Sequence, residues 1–166
     1  MSARSRAAAS SKPIWTPRAT ADALGEVTLF AGLSSRHRQK VARLGVVEYF
    51  PPQSSVVIQG TSGDAAYVLL DGVCEVVRGP DVTRGEIGAG SIVGEMALLD
   101  GAPRSATVVT RTEVNALRLG RSAFLALLRA EPSVSIALIA ALGGRLREAE
   151  QRGGTEGKPA GDLIGA

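Results

Sequence analysis

Residues 93–108 read VGEMALLDGAPRSATV. One carboxylate, Glu95, and one guanidinium, Arg104, stand among small and aliphatic side chains that otherwise look like core material. Glu95 to Leu99 has the composition of a single short helical turn, which Asp100-Gly101 ends. Pro103 stiffens the approach to Arg104, and RSATVV then reads as the opening of a β-strand. A short helix wedged between β-rich runs is the feature from which the rest of the chain can be ordered.

The chemistry of this stretch follows from its residue types. Gly94 allows a sharp backbone turn and brings peptide N–H groups close to whatever lies beside it. The first amides of a helix have no intrahelical acceptor and make a ready anion site. Arginine's planar fork suits phosphate, and the hydroxyl and amide of Ser105 can add further bonds. A carboxylate beside a phosphate would repel it, so Glu95 suits a hydroxyl donor such as a ribose 2′-OH. Phosphate and an adjacent sugar hydroxyl on one loop describe a nucleotide. The alternative is a purely structural ion pair between Glu95 and Arg104.

Outward from this loop, residues 46–119 carry short β-branched runs: VVEYF, SVVIQG, AYVLLDG, VCEVVRG, RSATVVTRT and VNALRLG. Turn signals separate them at Pro51-Pro52, Gly60-Thr61-Ser62-Gly63-Asp64, Asp71-Gly72 and Gly79-Pro80. Such spacing implies an antiparallel sandwich or barrel, and Asp71-Gly72 predicts a hairpin. On the N-terminal side, Thr20 or Asp22 is a candidate cap, and Ser34 precedes RHRQKVARL with Val41 and Leu44 on one face. On the C-terminal side, RSAFLALLRAE offers Ser122 as a cap and Phe124, Leu127 and Leu128 as a buried stripe; Pro132 then starts a second helix. The predicted fold is α+β, mainly β: an antiparallel β-roll or jelly roll with an N-terminal helical segment and two C-terminal helices. The predicted organisation is a flexible basic tail over 1–19, one domain over 20–152 and a flexible tail over 153–166. An Arg- and Ser-rich start with no acid before Asp22 also has the look of a transit peptide, but a tail is the simpler reading.

Composition narrows the function. The 166 residues are 45% hydrophobic and 21% charged, which suits a single globular domain with its own core. No apolar run reaches membrane-spanning length, and the single cysteine, Cys74, excludes an internal disulfide and fits a reducing cytoplasm. The net charge of +3 is modest and the basic residues do not interleave with aromatics, so nucleic acid is not the expected partner. A single histidine, His37, cannot build the histidine-rich metal site of a cupin-like roll, and no Walker loop, dinucleotide fingerprint or zinc spacing appears. No catalysis, cofactor or metal is therefore expected.

The stretch GEMALLDGAPRSATV, together with LFAGLS and GTSGDAAYVLLDGVCEVV, resembles the cyclic nucleotide-binding domain. That domain is shared by the bacterial catabolite activator, the regulatory subunits of protein kinase A and the cyclic-nucleotide-gated channels. The resemblance covers residues from about 24 to 150. It implies a β-roll holding a 3′,5′-cyclic nucleotide in a phosphate-binding cassette. By motif position Gly94 and Ala97 supply backbone amides near the phosphate, Glu95 accepts the ribose 2′-OH, Arg104 neutralises the phosphate, Ser105 adds a hydrogen bond, and Met96 and Ala106 complete the ligand-binding set. Gly60, Gly63 and Gly72 match turn glycines. Ser105 leaves the base open between cyclic AMP and cyclic GMP, and cyclic AMP is favoured because the catabolite activator also has serine there.

Two departures from the family stand out. Val93 replaces a common aromatic, and no aromatic follows Phe124, so no ring can cap the base. A lid would have to use Leu142 or Leu146, or the guanidinium of Arg145 or Arg147. Gly143-Gly144 suggests a hinge just before them, against the plainer reading of a frayed helix. Residues 153–166 leave no room for a DNA-reading, kinase or channel domain, so the expectation is a complete stand-alone cytoplasmic sensor, monomer or weak dimer, that moves its C-terminal helices for an unknown effector protein. The alternative is an interaction or scaffold module that keeps the fold without using the ligand.

Overall fold

The computed structural model describes residues 14–80 and 82–153. The two predicted tails lie largely outside that range. Helix α1 (Pro17–Gly25), a 3-10 turn (Thr28–Phe30) and α2 (Ser35–Leu44) precede the strands. The strands are β1 (Val46–Phe50), β2 (Ser55–Val57), β3 (Ala65–Leu69), β4 (Val73–Arg78), β5 (Val82–Gly88), β6 (Ile92–Val93), β7 (Thr107–Thr110) and β8 (Val114–Gly120). Between β6 and β7 lies α3 (Glu95–Asp100); α4 (Arg121–Ala130) and α5 (Pro132–Gly153) complete the chain. The strands form two antiparallel sheets of four, β1-β8-β3-β6 and β2-β7-β4-β5. This is the predicted jelly roll with helices at its ends.

Several local predictions are corrected. Helix α1 starts earlier than Thr20, because Thr16 accepts from the Ala19 N–H at 3.1 Å and Pro17 sits at the first helical position, where its missing N–H costs nothing. Ser34 caps α2 as predicted, but Leu44 is 48% exposed while Val41 is buried. Gly120, not Ser122, precedes α4. Strands β5 and β6 lie outside the six runs read from the sequence; β5 is held along β4 from Val73↔Gly88 to Arg78↔Val82. Asp71-Gly72 does not close a hairpin, since β3 and β4 belong to different sheets. The turn carries the chain between sheets instead, with the Asp71 carboxylate accepting from the backbone N–H of Asn115 at 2.6 Å and from its side-chain amide at 2.8 Å.

The sheet containing β3 is covered on both faces. Ala66, Val68, Leu117 and Leu119 face a cluster built on Leu24, Phe30, Phe124, Val134 and Leu138 from the helices. Ala65, Tyr67, Leu69, Val114 and Ala116 face the roll interior with Val56, Val57, Cys74 and Val108 of the other sheet. Strand β3 is consequently buried at every position, the pattern of a strand packed on both faces. Tyr67 meets Phe50 edge-on inside the roll, with centroids 6.0 Å apart.

Cys74 is fully buried in this interior, and burial pushes its thiol up to about 11. Reactivity follows the thiolate, so Cys74 is expected to stay unmodified by an aromatic disulfide reagent at pH 8 while the chain is folded. It should react stoichiometrically once the chain is unfolded in guanidinium. Rapid labelling of the folded chain would contradict this packing.

Helices α4 and α5 are separated by Glu131 alone, and the chain bends by 108° there. Pro132 disfavours helical geometry at the residue before it, and Glu131 sits at φ −124°, ψ 86°. Val134 and Leu138 of α5 are buried, Ala137 and Leu142 pack against the helical cluster, and Ile136, Ile139 and Leu146 of this helix of 22 residues are exposed. It runs unbroken through Gly143-Gly144, so the break in the C-terminal helices is at Glu131 and not at the glycine pair.

Candidate functional site

Between the roll and α5 lies a groove of about 1400 Å³. Val76 and Ile87 form part of its apolar wall, Gly94 to Ala97 and Arg104 to Ala106 one end, and Leu142, Arg145 and Leu146 of α5 the opposite side. All seven cassette residues read from the sequence therefore meet in one place. Of the four lid candidates Leu142, Arg145 and Leu146 line the groove, while Arg147 is exposed and outside the lining.

Arg104 is 6% exposed, and its orientation is fixed by backbone. Its Nη1 donates to the Gly94 carbonyl at 2.6 Å and its Nη2 to the Ala65 carbonyl at 2.7 Å. Its own peptide is clamped as well: its N–H donates to the Thr61 carbonyl at 2.8 Å and its carbonyl accepts from Gly60 at 2.9 Å. The guanidinium has five N–H donors, so donors remain for the groove after both carbonyls are served.

The approach of Arg104 requires glycine at two positions. Gly94 has φ +82°, and a Cβ there would overlap Arg104 Nη1. A Cβ on Gly63 would stand 2.8 Å from Arg104 Cζ and 2.9 Å from the Ala97 Cβ. The sequence signals Gly63 only as a turn glycine; its closeness to the guanidinium is a finding of the structure. Arg121, which sequence reasoning also passes over, reaches the last turn of α3, its Nη2 donating to the Ala97 carbonyl at 3.3 Å. A cation at a helix C-terminus steadies the short helix through its exposed carbonyls.

Glu95 is 1% exposed, and a buried carboxylate must be paired. Its partner is not Arg104: among the described residues no ion pair joins the two, which removes the simple structural pairing. Arg145 Nη1 bonds Glu95 Oε1 instead, and Arg145 Nη2 donates to the Ile92 carbonyl at 3.3 Å. Arg145 is thus engaged by the Glu95 carboxylate and a backbone carbonyl at the edge of the groove. Met96 is 40% exposed at the rim, Ala97 and Ala106 are buried, and Ser105 is exposed. Among the described residues no cluster of His, Cys, Asp or Glu could hold a metal ion.

The model of the cyclic nucleotide-binding domain family matches residues 47–131, from β1 through the cassette to the end of α4. A cAMP-dependent protein kinase regulatory subunit of Aspergillus fumigatus is 40% identical over 63% of this chain and 26% of its own length. The Cyclic AMP receptor protein of Thermus thermophilus is 34% identical over 74% of this chain and 58% of its own. The chain therefore spans about a quarter of the first relative and little more than half of the second. A solved cyclic nucleotide-binding domain from Methylobacillus flagellatus superposes with a TM-score of 0.71 at 28% identity, covering 87% of this chain and 85% of that one. With a roll of two four-stranded sheets, a cassette wrapped around an oriented arginine and a family match over half its length, this chain belongs to the cyclic nucleotide-binding domain family.

Proposed function

We propose that this chain is a cyclic-nucleotide sensor in which Arg104 neutralises the cyclic phosphate, Glu95 accepts the ribose 2′-OH, and α5 transmits the event. The amides of Gly94, Met96 and Ala97 and the hydroxyl of Ser105 complete the phosphate contacts, with Ala106 at the floor. The observation that carries this reading is the buried Arg104 guanidinium, held by two backbone carbonyls so that its remaining donors serve the groove. Cyclic AMP is favoured over cyclic GMP, in line with the two relatives that carry cyclic AMP in their names.

The link to α5 rests on Arg145. The carboxylate assigned to the ribose is the one that Arg145 holds, so a nucleotide reaching Glu95 must share or displace that guanidinium. A ligand shifts a conformational equilibrium only by its differential affinity for the two states, and competition at Glu95 supplies such a difference. The same contact favours a second reading, an interaction module in which Arg145 fills the ribose position permanently and the groove goes unused.

Titration calorimetry with cyclic AMP and cyclic GMP decides between them. Under the sensor reading cyclic AMP binds more tightly, and at 100 times its Kd it raises stability by about 2.7 kcal/mol. Hydrogen exchange in the same samples should change along α5 beyond Leu138. No heat and no thermal shift with either nucleotide at millimolar concentration would establish the module instead.

A further inference from the structure

Arg121 stands outside the groove and still holds two parts of it. It is the first residue of α4, directly after β8, and it does not line the groove. Its backbone N–H donates to the Asp64 carbonyl at 2.8 Å. Asp64 lies between Gly63, against which the Arg104 guanidinium packs, and Ala65, whose carbonyl accepts from Arg104 Nη2 at 2.7 Å. The Arg121 side chain goes the other way, to α3. Its Nη2 donates to the Ala97 carbonyl at 3.3 Å and to the Leu98 carbonyl at 3.4 Å. One residue thus spans from the backbone that seats Arg104 to the helix that carries Ala97.

Helix α3 needs such a strut. It has six residues, and a helix that short does not hold its own geometry in water. It ends on Asp100 and has no basic residue in its last turn, so its C-terminal carbonyls and its own carboxylate add up to uncompensated negative potential. Arg121 supplies the missing cation. Among the described residues it forms no ion pair of its own, and the Asp64 carboxylate beside it is taken by Arg118 at 2.9 Å. The guanidinium is therefore committed to the two α3 carbonyls.

We infer that Arg121 is a positioning residue for the phosphate: it sets the Ala97 peptide at a fixed distance from Arg104, so that the two converge on one anion. The inference rests on the nucleotide site proposed above. Ala97 is 5% exposed and lines the groove; its amide is the group assigned to phosphate, and its carbonyl is the one that Arg121 holds. Removing the strut leaves Arg104 on its own two carbonyls and leaves Glu95 in place. It frees α3 to shift against them, and the phosphate then loses the amide while keeping the guanidinium.

The test compares Arg121→Met, which keeps an unbranched apolar stem and removes the donors, with Arg121→Lys, which keeps a charge and can serve one carbonyl at a time. The Kd for cyclic AMP is measured by calorimetry well below each variant's Tm, and the phosphorus NMR signal of the bound nucleotide reports the phosphate contacts directly. Arg121→Met should bind about three- to tenfold more weakly, the worth of roughly one hydrogen bond, with the bound phosphorus signal displaced from its wild-type position. Arg121→Lys should recover part of both changes. A phosphorus signal unmoved in Arg121→Met, whatever its Tm, makes Arg121 a structural contact only and overturns the inference; so does an Arg121→Lys variant that binds no better than Arg121→Met. Both results leave nucleotide binding by the wild type intact. A wild-type chain that takes no cyclic AMP overturns the sensor reading and the positioning role together, so the wild type tells the two failures apart.

Discussion

Arg104→Ala is expected to weaken cyclic AMP binding by about 1.5–3 kcal/mol, roughly ten- to 150-fold, with more lost if the groove excludes water in the complex. The lost interaction is a charge-assisted one to phosphate, the strongest class of hydrogen bond available here. The structure adds a second consequence. The Ala65 and Gly94 carbonyls each lose a donor, and Ala65 is fully buried. A buried acceptor left unpaired costs about 1–3 kcal/mol, so the variant should also melt earlier. The two effects separate when Kd is measured by calorimetry well below the variant's own Tm. Arg104→Lys should recover little, because an ammonium on a flexible stem cannot serve two carbonyls and a phosphate in the planar pattern of a guanidinium. An unchanged Kd in Arg104→Ala would show that the groove is not the nucleotide site.

Why this arginine was legible in the sequence, while its partners were not, is a matter of range. Gly94, Glu95, Pro103, Arg104 and Ser105 fall within a dozen residues, and their types define a short helix, a turn and an anion site without reference to the rest of the chain. The groups that orient them come from far away. The Ala65 carbonyl is 39 residues before Arg104, and Arg145 is 50 residues after Glu95. A carbonyl has no sequence signature, since every residue carries one. Arg145 is one of four residues that the sequence offers for a lid, and nothing in RLREAEQ marks which of its charges turns inward. The fold shows the same division. Strands β3 and β8 announce themselves by β-branched and apolar runs, whereas β5, reading VTRGEIG, is a strand because β4 offers it an edge. Thr16-Pro17 opens α1 through local capping chemistry, inside the stretch that the sequence reading gives to the tail. Asp71-Gly72 has hairpin chemistry, yet it joins two sheets, and only the pairing of β3 with β8 and of β4 with β7 settles that.

Gly94→Ala should be as damaging as removing the arginine, although it removes no ligand contact. At φ +82° an L side chain costs about 1–2 kcal/mol before any contact is considered. The new methyl would also overlap Arg104 Nη1 and stand 3.3 Å from the Ala65 carbonyl, the acceptor that Arg104 uses. The guanidinium must therefore leave its seat, and losing its charge-assisted bond to phosphate costs about 1.5–3 kcal/mol of affinity. Gly63→Ala isolates the steric part. It is not in the positive-φ region, and its methyl would meet Arg104 Cζ at 2.8 Å and Ala97 Cβ at 2.9 Å. Calorimetry and thermal melts on the two variants should thus diverge: both lose affinity for cyclic AMP, and Gly94→Ala loses the more Tm because it alone adds backbone strain. If Gly63→Ala binds as tightly as the wild type, the arginine has room to move without cost, and the claim that two glycines fix its position is wrong.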